Sequence, residues 1–232
     1  SIARYCISYA VEHGADAARA SLSKSVMDGH TLLNGELDKV THSADRSIYL
    51  YIFADNRYGT FSTNRLEKNE LEDFIQRAIE MVRMLGEDEC RKLPSPERTA
   101  KDAVTGLELQ LYDAAYEQMD ADTRLANAFR LSRYDEIKAT EDSYRLISEE
   151  CEYSCTSDDS YTADSQGFEG RHRETTFGTF SEMTIEDRDG NKYSGYWWQT
   201  SPRMADTDFD ECGKKALERA VRQIGPKKRR SG

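Results

Sequence analysis

Long apolar runs are missing from this sequence. Nothing approaches the roughly eighteen consecutive apolar residues that a membrane-crossing helix needs, so no membrane role is expected. The N-terminus, Ser1-Ile2-Ala3-Arg4, lacks a signal-peptide pattern and opens inside what reads as a helix. Net basic charge is absent too. The 232 residues carry a formal charge of −11, which on average repels nucleic-acid phosphates and disfavours general DNA binding. The one basic run, Pro226-Lys227-Lys228-Arg229-Arg230, reads as a solvated turn or linker. The five cysteines are odd in number and unpatterned in a chain that is not small. Reduced thiols and a cytoplasmic location are the economical expectation.

Catalytic patterns are lacking as well. None of the four histidines, His13, His30, His42 and His172, stands four residues from another, as two metal ligands on one helix face would. Cys151 and Cys155 are placed on a strand, sharing a face with Ile147 and Tyr153. Their side chains are then too far apart to chelate one ion, and they read as half-buried thiols. Acidic pairs such as Glu149-Glu150 and Asp158-Asp159 could serve proton transfer, but among 43 acidic residues the default is a solvated carboxylate. There is no Gly-x-Ser-x-Gly elbow, phosphate loop or dinucleotide fingerprint. No catalytic, cofactor-binding or metal-binding residue is assigned.

What is present is an alternation of strands and amphipathic helices. Ile2, Tyr5, Cys6, Tyr9 and Ala10 have helical spacing, closed by Gly14. Residues 16–63 read as an antiparallel meander, with Asn34-Gly35 and Asp55-Asn56 as turns and 47–54 as an interior strand. Leu71, Phe74, Ile75, Ala78, Ile79, Val82 and Leu85 form the clearest helical stripe, ended by Gly86. Residues 87–106, with Pro94 and Pro96, read as a loop. A polar helix is expected over about 122–139, capped by Asp120 or Asp122. Strands follow near 144–155, 160–166 and 172–187, with a bend at Gly167 and Gly170. Asp189-Gly190 turns into a strand through Tyr193, Tyr196, Trp197 and Trp198. Phe209, Cys212, Ala216, Leu217, Ala220, Val221 and Ile224 make a last stripe before Gly225-Pro226.

The expected fold is α+β: a two-layer sandwich of antiparallel or mixed meanders, with helices on one sheet face. It is one domain, 1–232, with two similar-looking lobes at about 1–86 and 107–232. The other sheet face must be solvated or covered from outside. Adjacent strand residues point to opposite faces, so of Trp197 and Trp198 at least one needs a cover beyond a single core. Tyr196, Trp197 and Trp198 are therefore candidate interface residues.

A family likeness rests on several segments in order: Gly14-Ala15-Asp16-Ala17-Ala18, Asn34-Gly35-Glu36-Leu37-Asp38, Arg57-Tyr58-Gly59-Thr60-Phe61-Ser62-Thr63, Asp164-Ser165-Gln166-Gly167-Phe168-Glu169-Gly170, and Ile224-Gly225-Pro226-Lys227-Lys228. Together they resemble the N-terminal part of the TldD/PmbA proteins, the second and third looking closer to the PmbA branch. One departure is Asp164, where the family pattern has Asn.

The resemblance implies a first part followed in the complete protein by a larger β-rich domain, absent from this chain. It implies a TldD branch with a His-Glu-x-x-x-His zinc protease motif in that second part, and a PmbA branch without it that pairs with a TldD chain. The pair would degrade unfolded or flexible peptides in an enclosed cavity. Zinc would then come from a TldD-like catalytic partner, with hetero- or homo-oligomer and peptide as the expected partners. The family's older label, modulator of DNA gyrase, implies the alternative of a regulatory protein-binding module without a protease role.

Overall fold

The computed structural model describes residues 1–139 and 143–225, so the basic run 226–230 lies outside the described residues. In chain order the elements are α1 (Ile2–Glu12), β1 (Ala17–Leu33), β2 (Glu36–Ala54), β3 (Arg57–Thr63), α2 (Lys68–Arg83), α3 (Ala115–Gln118), α4 (Ala121–Leu131), α5 (Tyr134–Lys138), β4 (Tyr144–Asp164), β5 (Glu169–Asp187), β6 (Lys192–Ser201) and α6 (Glu211–Val221). The strands form an antiparallel six-stranded sheet in the order β3-β2-β1-β4-β5-β6. The turns are the ones the dipeptides announce. Asn34, Gly35, Asp55 and Asn56 all have φ between 51° and 78°, the left-handed conformation that two-residue hairpin loops require.

The chain divides into two compact units that are not consecutive stretches. The first takes 1–26, 44–111 and 158–174; the second takes 27–43, 112–157 and the residues from 175 onward. The long strands β1, β2, β4 and β5, of 17 to 21 residues, contribute to both.

In the first unit, the buried positions of α1 (Ala3, Cys6, Ile7, Ala10) and of α2 (Leu71, Ile75, Ala78, Ile79, Val82) share a core with Ile48, Leu50, Ile52 and Ala163. Strand alternation sends Tyr49, Tyr51 and Phe53 to the opposite face. In the second unit, Ala128 and Leu131 of α4 join Leu32, Cys151, Tyr153, Cys155, Phe177 and Phe209. Ile137, Met183 and Ala216 make a smaller cluster.

Two elements differ from their sequence expectation. The strands expected near 144–155 and 160–166 are one, β4. Its Ser, Thr and Asp residues at 154–160 contain no breaker, and a sheet with one open face tolerates them. The helix expected over about 122–139 is two, α4 and α5. Asp120 does cap the first, accepting from the Thr123 N–H at 2.8 Å and so satisfying one of the helix's unpaired N-terminal donors. The break falls at Ser132-Arg133, where the Glu149 carboxylate takes the Ser132 hydroxyl at 2.6 Å and the Arg133 N–H at 2.8 Å. A donor that a continuing helix would use internally is thereby drawn to β4.

Candidate interaction surface

On β6, Gly195 and Trp197 face α6, and Tyr196 and Trp198 face away. The approach to α6 is close: a Cβ on Gly195 would lie 2.3 Å from the Ala216 carbonyl oxygen and 2.5 Å from the Ala220 nitrogen. The Trp197 ring meets two cations of α6, with Lys215 Nζ 4.4 Å and the Arg219 guanidinium 4.3 Å from ring centroids. Trp197 is half-buried there. Trp198 remains 60% exposed and Tyr196 54% exposed. The β5–β6 register sets Phe180 opposite Trp198 and Glu182 opposite Tyr196. The outer face of this strand pair is therefore aromatic with an acidic edge, held on strands and not on a loop.

The free edge of β6 is blunted by the chain itself. Gln223 Nε2 donates to the Ser194 carbonyl at 2.6 Å and Arg219 Nη1 to the Tyr196 carbonyl at 3.4 Å. Such capping of unpaired carbonyls discourages further strand addition. In the first unit, Tyr58 stacks on Tyr51 at 6.4 Å and meets Phe53 at 5.0 Å, and the Arg91 guanidinium lies 5.5 Å over the Tyr58 ring. The period-2 spacing of Tyr51 and Phe53 puts both rings on one face, and β2–β3 pairing brings Tyr58 to them.

Among the described residues no three His, Cys, Asp or Glu side chains converge as ligands of one metal ion. His30 is buried, and burial lowers its pKa. His42 pairs with Asp28 at 2.8 Å, His172 with Glu174 at 3.1 Å, and His13 stacks on Tyr9 at 3.8 Å. Cys151 and Cys155 share the core face with Tyr153 and are fully buried, not half-buried. Burial pushes the Cys6 thiol up to about 11 and the Cys151 thiol up to about 12. The Cys155 thiol is also raised by burial, although Arg124 Nε lies 3.3 Å from its sulfur. Thiolate character and access govern thiol reactivity. Cys90 is exposed and the other four cysteines are buried. One thiol per chain is thus expected to react quickly with an aromatic disulfide reagent in the native protein, the rest only on unfolding. Two or more fast thiols in native buffer would contradict the packing of these cores.

Of the acidic pairs, Glu149 is structural, as described above. Asp159 holds Arg171 through Nε at 2.9 Å, and that contact lowers its carboxyl pKa. No helix among the described residues is long and apolar enough to cross a membrane.

Residues 18–82 match a family model described as PmbA/TldA metallopeptidase domain 1, and residues 93–224 match one described as PmbA/TldA metallopeptidase central domain. A solved structure from Bacteroides thetaiotaomicron, described as a candidate modulator of DNA gyrase, is 32% identical with a TM-score of 0.88; the match covers 100% of this chain and 51% of that one. A similarly described protein from Thermotoga maritima is 20% identical with a TM-score of 0.71, covering 100% and 50%. TldE from Thermococcus kodakarensis is 14% identical with a TM-score of 0.64, covering 97% and 47%. At their identities the last two speak to the fold alone. The chain spans about half the length of these structures. No curated protein is significantly similar to it.

Proposed function

Since the chain belongs to the PmbA/TldD family of metallopeptidase proteins, we propose that it is the assembly and substrate-access part of a PmbA-like, non-catalytic subunit that works with a zinc-bearing TldD-like partner on unfolded or flexible peptides. The observation that carries this reading is the outer face of β5 and β6. Trp198, Tyr196 and Phe180 form a rigid aromatic patch, and an exposed aromatic on a strand is the type of residue that anchors protein interfaces. Among the described residues no three donor side chains meet, so these residues do not suit zinc. Polarisation of a scissile carbonyl and activation of water are what zinc supplies when bound, and here they belong to the partner. This chain's own contribution is to present a docking face and to limit which polypeptides reach the site.

Trp198→Ala tests it in the full-length protein. Its ring is mostly in water, so stability should change by less than about 0.5 kcal/mol, while association with the catalytic subunit weakens about tenfold in sedimentation or titration. Trp197→Ala should do the reverse, lowering the melting temperature through lost packing. Undiminished assembly by a folded Trp198→Ala protein would remove the basis of the reading.

The description of the Bacteroides relative favours a second reading, a regulatory module acting on a topoisomerase. Capture of gyrase without any peptidase-like subunit would select it. The charge of −11 argues that such a module would act on the protein and not on its DNA.

A further inference from the structure

The β5–β6 register reaches only to the Phe177–Ser201 pair, so in the first unit residues 169–174 of β5 have no β6 beside them. The chain's own loop takes that edge. The Arg171 N–H donates to the Ala103 carbonyl at 2.7 Å and the Arg173 N–H to the Gly106 carbonyl at 3.0 Å. Gly106 and His172 form a parallel bridge. Gly106 lies at φ +82°, and a Cβ there would sit 3.0 Å from the Arg173 nitrogen.

Side chains contribute little to holding this strap. Val104 is 74% exposed, Leu109 68% and Leu107 44%. Its shape comes from its own Glu108. That carboxylate accepts from the N–H groups of Val104 at 3.1 Å, Thr105 at 2.7 Å and Gly106 at 2.9 Å. A cleft of about 270 Å³ lined by Pro96, Thr99, Lys101, Gln166 and Phe168 lies beside the chain leading into the strap.

We propose that the edge of β5 at Arg171–Arg173 is an acceptor for an extended polypeptide, with residues 103–106 as a resident strand that the incoming chain replaces. The proposal rests on the peptide-handling reading above. Main-chain pairing at a sheet edge is tolerant of sequence, and the resident strand shows that this edge accepts a parallel partner. Lifting the strap sacrifices two main-chain hydrogen bonds to β5 and uncovers little apolar surface. An incoming segment remakes the bonds and can place a side chain in the cleft. The Glu108 latch also sets a pH window. Hydrogen bonds from the Thr105 backbone and hydroxyl lead in holding its pKa at about 2, below the ordinary 4.5. The folded value is depressed, so the latch is complete above about pH 4.5 and is lost as pH falls through about 2.

The test uses the full-length protein, its Glu108→Gln and Gly106→Ala variants, fluorescein-labelled casein as an unfolded probe, and amide hydrogen exchange. Glu108 is exposed, so its variant leaves the core untouched. Gly106→Ala loosens the strap independently. Both variants should speed exchange at the Arg171 and Arg173 amides about tenfold and bind casein correspondingly tighter, since more of the population has the edge open. Bound casein should restore protection at those two amides. Unchanged or weaker binding in both variants, or binding that leaves these amides unprotected, overturns the acceptor. If casein is still processed by the assembled pair in that case, the access reading survives its loss. Edge binding retained in a protein that never joins a peptidase subunit would sink the access reading and leave the acceptor standing.

Discussion

Gly195→Ala is expected to destabilise the protein by about 3 kcal/mol, because the added methyl meets backbone and not a movable side chain. The Ala216 carbonyl oxygen at 2.3 Å and the Ala220 nitrogen at 2.5 Å belong to hydrogen-bonded turns of α6. The helix must therefore shift as a body from β6. For a domain of this size the loss corresponds to about 6–12 °C in melting temperature. The shift also pulls Lys215 and Arg219 off the Trp197 ring, which they approach at 4.4 and 4.3 Å. Trp197 emission should move to the red, with Trp198, already 60% exposed, contributing little to the change. A melting temperature and emission maximum equal to those of the unaltered protein would show that α6 does not pack as described.

Glu149→Ala should cost a similar amount, about 3 kcal/mol. Glu149 is 1% exposed, and its carboxylate is the acceptor for both the Ser132 hydroxyl and the Arg133 N–H. Its backbone meets the β1–β2 turn, donating to Asn34 Oδ1 at 3.0 Å and accepting from the Asn34 N–H at 2.8 Å. Truncation leaves two donors facing an unfilled space, and buried donors without acceptors are more costly than the average hydrogen bond is stabilising. Glu149→Gln keeps the shape and one acceptor oxygen, so it should lose about 1 kcal/mol. Chemical denaturation of the pair checks the ordering. Equal, negligible losses for both would mean that the helix break at Ser132 does not depend on this carboxylate.

Much of the architecture is legible in the sequence because it depends on local chemistry. Asn34-Gly35 and Asp55-Asn56 can adopt positive φ, so they turn the chain wherever they fall. The stripe from Leu71 to Val82 buries one face of α2 because 3.6 residues complete a turn. The candidate surface was half legible. Adjacency of Trp197 and Trp198 requires opposite faces, but nothing local says which face receives a helix. The family resemblance came from motif order, and the matches over 18–82 and 93–224 agree with it.

What the residues alone determined is therefore the inventory of turns, strands and helical stripes, an α+β class and a family. These depend on backbone preference and side-chain period over a few neighbouring positions. Only the tertiary structure decided that β4 runs unbroken, that the helix after Asp120 stops at Ser132, that Trp197 goes under α6 while Trp198 stays in water, and that residues 103–106 lie along β5. The last three of those outcomes hang on a partner far along the chain: Glu149 for Arg133, Ala216 and Ala220 for Gly195, Arg171 for Ala103. A donor or a gap at such a distance leaves no mark on the local pattern.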